Sequence, residues 1–277
     1  MKISKLKTLL SKTACVMLLV LIPSWSHNAA AQSKGSEIFG TYNNGCIRGA
    51  VPLNSGEHYQ VLIYGEGRNY GHPSLIDFVH KLVQRSHAQG LPDLLISDMS
   101  KHYGGPFGAG SAHGSHNIGL DVDVSFDFAS PRKSGVELRN PKDIFMVDTK
   151  QRPTVYFTRE RAELIRLATQ DPRVERIFVA PGIKRGLCEL YRDSDRSWLR
   201  KVRPWFGHRA HMHVRLQCPA DSPYCKKQLP PPAGDGCGEE LASWFKPPKP
   251  AAGGKKTVTK PKPRVLPGQC RAVLQGR

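Results

Sequence analysis

Gly119-Leu120-Asp121-Val122-Asp123-Val124 and His211-Met212-His213-Val214-Arg215-Leu216 alternate apolar and polar residues with period two. That alternation marks a β-strand with one buried face. Leu120, Val122 and Val124 belong to a core side, as do Met212, Val214 and Leu216. Asp121 with Asp123, and His211 with His213, emerge on the opposite faces. Two strands that each present a pair of titratable side chains away from the core set the problem the rest of the chain must solve.

Working outward, five of the eleven histidines fall beside these strands: His113 and His116 ahead of the first, and His208 with His211 and His213 at the second. The loop bearing His116 can fold back so that its imidazole and the carboxylates converge on one ion. Neutral imidazole and carboxylate are good zinc ligands, and a set of two histidines and one carboxylate leaves a fourth position open to water. An H-x-H pair alone is a weak signal, and any one of these histidines read singly is an ordinary hydrogen-bonded residue. Together they define a candidate metal site.

Beyond the strands, His72 to Gly90 carries Leu75, Ile76, Val79, Leu82 and Val83 at helical spacing, with Pro73 at its start. Leu94–Ile96 reads as a short strand and Gly104–Gly110 as loop. Thr158 and Glu160 open a second helix that ends at Asp171-Pro172. Arg176–Ala180 is a strand, and Ser194–Val202 a third, shorter helix. Helices and strands mix without a regular βαβ period, so the expected fold class is α+β: a single domain with a central antiparallel sheet carrying the zinc site, flanked by helices and long loops.

The ends differ in composition from the middle. Residues 1–31 run from a lysine-bearing start through the apolar stretch Ala14–Ile22 to Ala29-Ala30-Ala31, the layout of a secretory signal peptide. That stretch is short for a bilayer span. The expected division is a signal peptide over 1–31, a catalytic domain over 32–245 and a basic Pro/Lys-rich tail over 246–277 that cannot fold alone. Without Cys15, six cysteines remain: Cys46, Cys188, Cys218, Cys225, Cys237 and Cys270. An even number without a C-x₂-C pair fits disulfides in an oxidising compartment, with fifteen possible connectivities. The 277 residues carry a formal net charge of +18, of which Lys2, Lys5, Lys7 and Lys12 supply four in the leader, so an anionic partner is expected.

With these residues in view, the chain resembles the penicillin-insensitive murein endopeptidases, within the wider metallopeptidase group of lysostaphin-type and D-alanyl-D-alanine-cleaving enzymes. The group shares a His followed seven residues later by an Asp, and a downstream H-x-H; His116 with Asp123 and His211-Met212-His213 match these. The blocks His113-Gly114-Ser115-His116, Gly119–Asp123 and Trp198–Phe206 continuing through His208 to Arg215 match the murein endopeptidase branch. The resemblance spans about Phe39 to Cys270.

It implies a periplasmic enzyme acting on peptidoglycan rather than nucleic acid, and zinc on His116, Asp123 and His213. His211 and His208 would be the catalytic residues beside it. A second metal would draw on His113 and Asp148, yet position 151 is Gln151 where the family has His, so one zinc is expected. The likeness also suggests the bridges Cys46–Cys270 and Cys188–Cys237. Cys218 and Cys225, with six residues between them including Pro219 and Pro223, are easily closed into a local loop. Two other functions remain open to a basic exported chain: a non-catalytic binder of an anionic cell-wall polymer, and a metal-dependent nuclease.

Overall fold

The central sheet has six strands, and its two inner members are the strands picked out by alternation. In the computed structural model, which describes residues 35–63, 67–108, 111, 113–247 and 265–276, the elements run in this order. First come β1 (Glu37–Thr41), β2 (Asn44–Arg48), β3 (Val51–Pro52), β4 (Tyr59–Val61) and β5 (Tyr70–Gly71). Then follow α1 (Pro73–Ala88), β6 (Leu94–Ile96), β7 (Asp121–Phe128), α2 (Gly135–Arg139), α3 (Arg159–Thr169), β8 (Val174–Val179) and α4 (Pro181–Leu190). A 3₁₀ turn (Ser197–Lys201) leads to β9 (Val202–Pro204), β10 (His211–Leu216), α5 (Glu239–Ser243) and α6 (Gly268–Leu274). The signal peptide expected over 1–31 lies outside the described residues, as does most of the basic tail. Among the described residues, no helix is long and apolar enough to cross a membrane.

Strand order in the central sheet is β4-β6-β7-β10-β8-β9. The inner pairings β6–β7, β7–β10 and β10–β8 are antiparallel, as expected; the outer pairings β4–β6 and β8–β9 are parallel. The sheet is therefore mixed rather than purely antiparallel. The parallel edges arise because α1 returns the chain from β4 to β6, and α4 with the 3₁₀ turn returns it from β8 to β9, in the same direction. Crossovers of that length permit parallel pairing.

One core holds the sheet to its helices. Val122, Val124, Met212, Val214 and Ile177 line the covered face, packed with Leu75, Phe78 and Val79 of α1 and Leu164, Ile165 and Ala168 of α3. The third expected helix is only a 3₁₀ turn. Conversely, α4 carries two glycines, poor helix formers, yet is helical. A Cβ on Gly182 would strike the Gln151 backbone, and one on Gly186 the Phe157 ring, so both positions serve close packing. Lys184 of the same helix is fully buried and donates to Leu199 O (2.7 Å) and Asp235 O (2.5 Å); burial pushes its ammonium down to about 7.

Three disulfides close the structure: Cys46–Cys270, Cys188–Cys237 and Cys218–Cys225. The first pins α6 onto β2, where Phe39, Cys46, Cys270 and Val273 form their own small cluster. The tail thus ends in an ordered helix rather than as a free strand of solvent-exposed chain. Because this bridge spans 224 positions, the loop-entropy model puts its worth at roughly 5 kcal/mol. Replacing Cys46 and Cys270 with Ser should lower unfolding free energy by about 2–5 kcal/mol in a denaturant titration; an unchanged midpoint contradicts this account.

Candidate metal centre

Asp123 stands at the centre of a ring of imidazoles. On β7 it lies opposite His213 of β10, which in turn lies opposite Phe178 of β8, so the three side chains form a row on the uncovered face. One position along, Asp121 lies opposite Arg215. His116 enters from the preceding loop with φ of 72°, a left-handed conformation that costs a non-glycine residue free energy and recurs at functional sites. Its backbone N–H donates to Asp121 Oδ2 (3.1 Å), and Phe107 of the glycine-rich loop stacks on its ring at 5.6 Å.

The distances suit a shared ion better than hydrogen bonds. Asp123 Oδ2 is 3.5 Å from His116 Nε2, 3.7 Å from His211 Nε2 and 3.8 Å from His113 Nδ1. Two atoms that each sit about 2.1 Å from a tetrahedral ion lie about 3.4 Å apart. His113, His116 and Asp123 each offer a ligand atom within 4.8 Å of the others. Among the described residues, neither ring nitrogen of buried His116 has a hydrogen-bond partner, an expensive arrangement unless something else satisfies it.

His213 gives the sharpest indication. Its Nε2 is 2.9 Å from Asp121 Oδ1, while Nδ1 lies 3.1 Å from Asp123 Oδ1 without hydrogen-bond alignment. A proton on Nε2, fixed by Asp121, leaves the Nδ1 lone pair facing a carboxylate oxygen. A cation between them resolves that conflict. Burial alone would lower His213, but Asp121 and Asp123 overcome it and push the imidazole up to about 9, a measure of how strongly the place favours positive charge. His116, by contrast, is pushed down to about 4 by burial, and His208 likewise by burial and by the charges of His211 and His213, so both are neutral at pH 7. Burial raises Asp123, yet His116, His211 and His213 outweigh it and hold the carboxyl well below its usual range.

Two carboxylates outside the expected ligand set complete the arrangement. Asp98, buried two positions past β6, takes His113 Nε2 at 3.0 Å and Arg68 Nε at 3.2 Å, and this bond is the main cause that raises His113. No sequence signal connects an Asp beyond a short strand to a histidine in a distant loop. Asp121 holds His213, and Arg215 holds Asp121: Arg215 Nε donates to Asp121 Oδ1 at 2.6 Å while its guanidinium lies 4.2 Å from the Tyr42 ring centre. Period-two alternation puts Asp121 on the polar face with Asp123, but its pairing with Arg215 depends on the β7–β10 register, which the structure supplies. Metal-ligating histidines are commonly oriented by such outer carboxylates.

Asp148, expected to serve a second metal, is not part of the ligand cluster formed by His113, His116 and Asp123 among the described residues. Its carboxylate accepts from the Lys150 and Arg152 backbone N–H groups and from the Arg152 guanidinium, which hold it below the ordinary range. Gln151 is engaged elsewhere too, accepting from Gly182 N–H. His208 and His211 adjoin the ring, 5.2 Å apart, and the His211 side chain keeps 29% of its surface exposed.

A buried carboxylate ringed by imidazoles, with one histidine edge left open, is the centre of a metallopeptidase. The chain belongs to the penicillin-insensitive murein endopeptidase family, whose model matches residues 38–275. It is 44% identical over 276 residues to the penicillin-insensitive murein endopeptidase of Escherichia coli (strain K12), covering 96% of this chain and 98% of the relative. The enzyme of the same description from Klebsiella pneumoniae (strain 342) is 43% identical over 275 residues, covering 95% and 98%.

If Asp121 is the fixed counter-charge, Asp121→Asn should destabilise by about 3–5 kcal/mol, because Arg215 is left buried and unpaired. Pairing it with Arg215→Met should recover much of that loss in a double-mutant cycle by denaturant unfolding. Simple additivity of the two losses counts against a coupled pair.

Proposed function

We propose that the protein is an exported, zinc-dependent murein endopeptidase that hydrolyses the D-alanyl–meso-diaminopimelyl cross-link of peptidoglycan in the periplasm. The observation that carries this reading is the Asp123 carboxylate set among four imidazoles at 3.1–3.8 Å. His116, Asp123 and His213 would hold the metal, with His113 alongside. Zinc, when bound, acidifies a water to near neutrality and polarises the scissile carbonyl.

The chain's own residues supply the rest. Asp121 keeps the His213 proton on Nε2 and so presents Nδ1 inward. His208 Nδ1 is 3.0 Å from Phe206 O, an acceptor, so the ring proton resides there and Nε2 is left basic. His211, at the open edge, would move a proton between the attacking water and the departing amine, or donate toward the developing oxyanion. There is no H-E-x-x-H in the sequence to provide a helical glutamate for this task. The basic surface suits an anionic polymer, and disulfides suit an oxidising compartment. The two relatives, both named as penicillin-insensitive murein endopeptidases, support this reading.

Purified protein should release monomers from cross-linked muropeptides, lose that turnover to a chelator and regain it on zinc addition. His213→Ala should lose both stoichiometric zinc, measured by elemental analysis, and activity. His211→Ala should keep zinc while kcat falls by about 10²-fold or more. Zinc retained by the first variant, or lost by the second, would reverse the assigned roles; no turnover of any cross-linked muropeptide by zinc-loaded protein would reject the activity.

A further inference from the structure

The turn between β9 and β10 carries two large aromatic side chains into solvent: Trp205 is 55% exposed and Phe206 60%. Burying such rings is worth about 2–3 kcal/mol each, so an exposed neighbouring pair calls for a reason. Looseness of the turn is not that reason. Trp205 N–H donates to Val179 O (2.8 Å), His208 O accepts from Ala180 N–H (2.8 Å) and Arg209 N–H donates to Gly207 O (2.7 Å), so the turn is fastened to β8 on both sides.

A third ring joins them from a separate segment. Trp244, half-buried just past α5, lies 6.0 Å from Trp205 and 5.1 Å from Phe206 between ring centres, each pair inclined by nearly 60°. Two ties hold this segment in place: the Arg203–Glu240 ion pair and the Cys188–Cys237 disulfide. The three rings are therefore a preset platform rather than a chance exposure.

Its position links it to the reaction centre. Trp205 packs edge-on against Phe178 at 5.8 Å, and Phe178 packs against His213 at 5.4 Å; Phe206 O holds His208 Nδ1. A polymer lying across the rings therefore passes beside the imidazoles.

We infer that Trp205, Phe206 and Trp244 form a stacking subsite for the pyranose rings of the glycan strand that carries the scissile peptide, an inference that rests on the murein reading above. A pyranose ring has an apolar C–H face that lies against an aromatic face, and a rim of hydroxyls that needs polar company. The surroundings provide both. Arg185 lies over Phe245 at 4.2 Å next to Trp244, and Lys246 pairs with Glu239 on the same segment. A lipid surface or a stable protein partner asks for a broader continuous apolar area than three mutually inclined rings among charges. The cross-linked peptide would thus be delivered to the metal centre with its sugar backbone already seated.

The probe is murein glycan strands stripped of their peptides, titrated calorimetrically into the mature, disulfide-intact protein. Saturable binding is expected, weakened about tenfold by Trp244→Ala and by Phe206→Ala, retained within about threefold by Trp244→Phe, and insensitive to chelator. Thermal melts of each variant identify any that misfold, and the other variant then decides. Absence of binding to stripped strands, or undiminished binding by folded Trp244→Ala, overturns the subsite. So does a dimer in light scattering that Trp244→Ala dissolves, since the rings would then belong to a second copy. Hydrolysis of a sugar-free cross-linked peptide dimer is measured in parallel. Its success without glycan binding rejects the subsite alone; failure on both this dimer and sugar-bearing cross-linked muropeptides, with glycan binding intact, rejects the activity alone.

Discussion

A single buried carboxylate, Asp121, fixes most of what surrounds it. It has no exposed surface, and burial by itself would favour its neutral form. The Arg215 guanidinium, and then His213, outweigh that penalty and keep it ionised. Three residues from two elements meet on its two oxygens: Arg215 and His213 of β10, and His116 of the 113–119 loop through its N–H. A charge so enclosed is held by its partners or not tolerated at all, which gives the β7–β10 register little freedom to slip. Slipping by one residue would send both carboxylates into the apolar core.

That constraint explains why the strained backbone at His116 survives. The left-handed conformation aims the residue's N–H at Asp121, and the same turn points its imidazole at Asp123. The strain is offset by the bond to an ionised acceptor, which is stronger than one to a neutral group. A parallel arrangement recurs on the other side, where Asp98 holds His113. Each orienting carboxylate is itself held by an arginine, Arg215 for one and Arg68 for the other. The histidines are thus set by layers of charge reaching back to the sheet, while His211 at the edge keeps room to move.

Much of this was legible because a strand's period-two pattern is local and the chemistry rode upon it. Asp121, Asp123, His211 and His213 declared their common face in the sequence, as did α1 and α3 their apolar stripes. Family likeness supplied the bridge partners for Cys46 and Cys188, which spacing alone left open. What escaped notice depended on distant contacts. The helix α4 is not legible in the sequence, because its Gly182 and Gly186 are poor helix formers and the demand for close approach to Gln151 and Phe157 is invisible along the chain. The parallel edge pairings of β4 and β9 depend on how crossovers return, and Asp98 joins His113 only after β6 has paired with β7. The β1–β2 hairpin, with a turn at Tyr42-Asn43, carried a readable polar break but too few residues to stand out.

The Cys46–Cys270 bridge has a consequence in time as well as in strength. A ribosome delivers residue 46 long before residue 270, so this bond cannot close until the 224 positions that separate them have been made. Its closure seats α6, whose Leu274 lies beside Gly105 in the stretch leading to Phe107, His113 and His116. This support of the imidazole cluster is therefore added only after the stretch from residue 46 to α6 has been made. A chain cut short before α6 lacks that support, and the molecule carries in its connectivity a check that synthesis has passed α6.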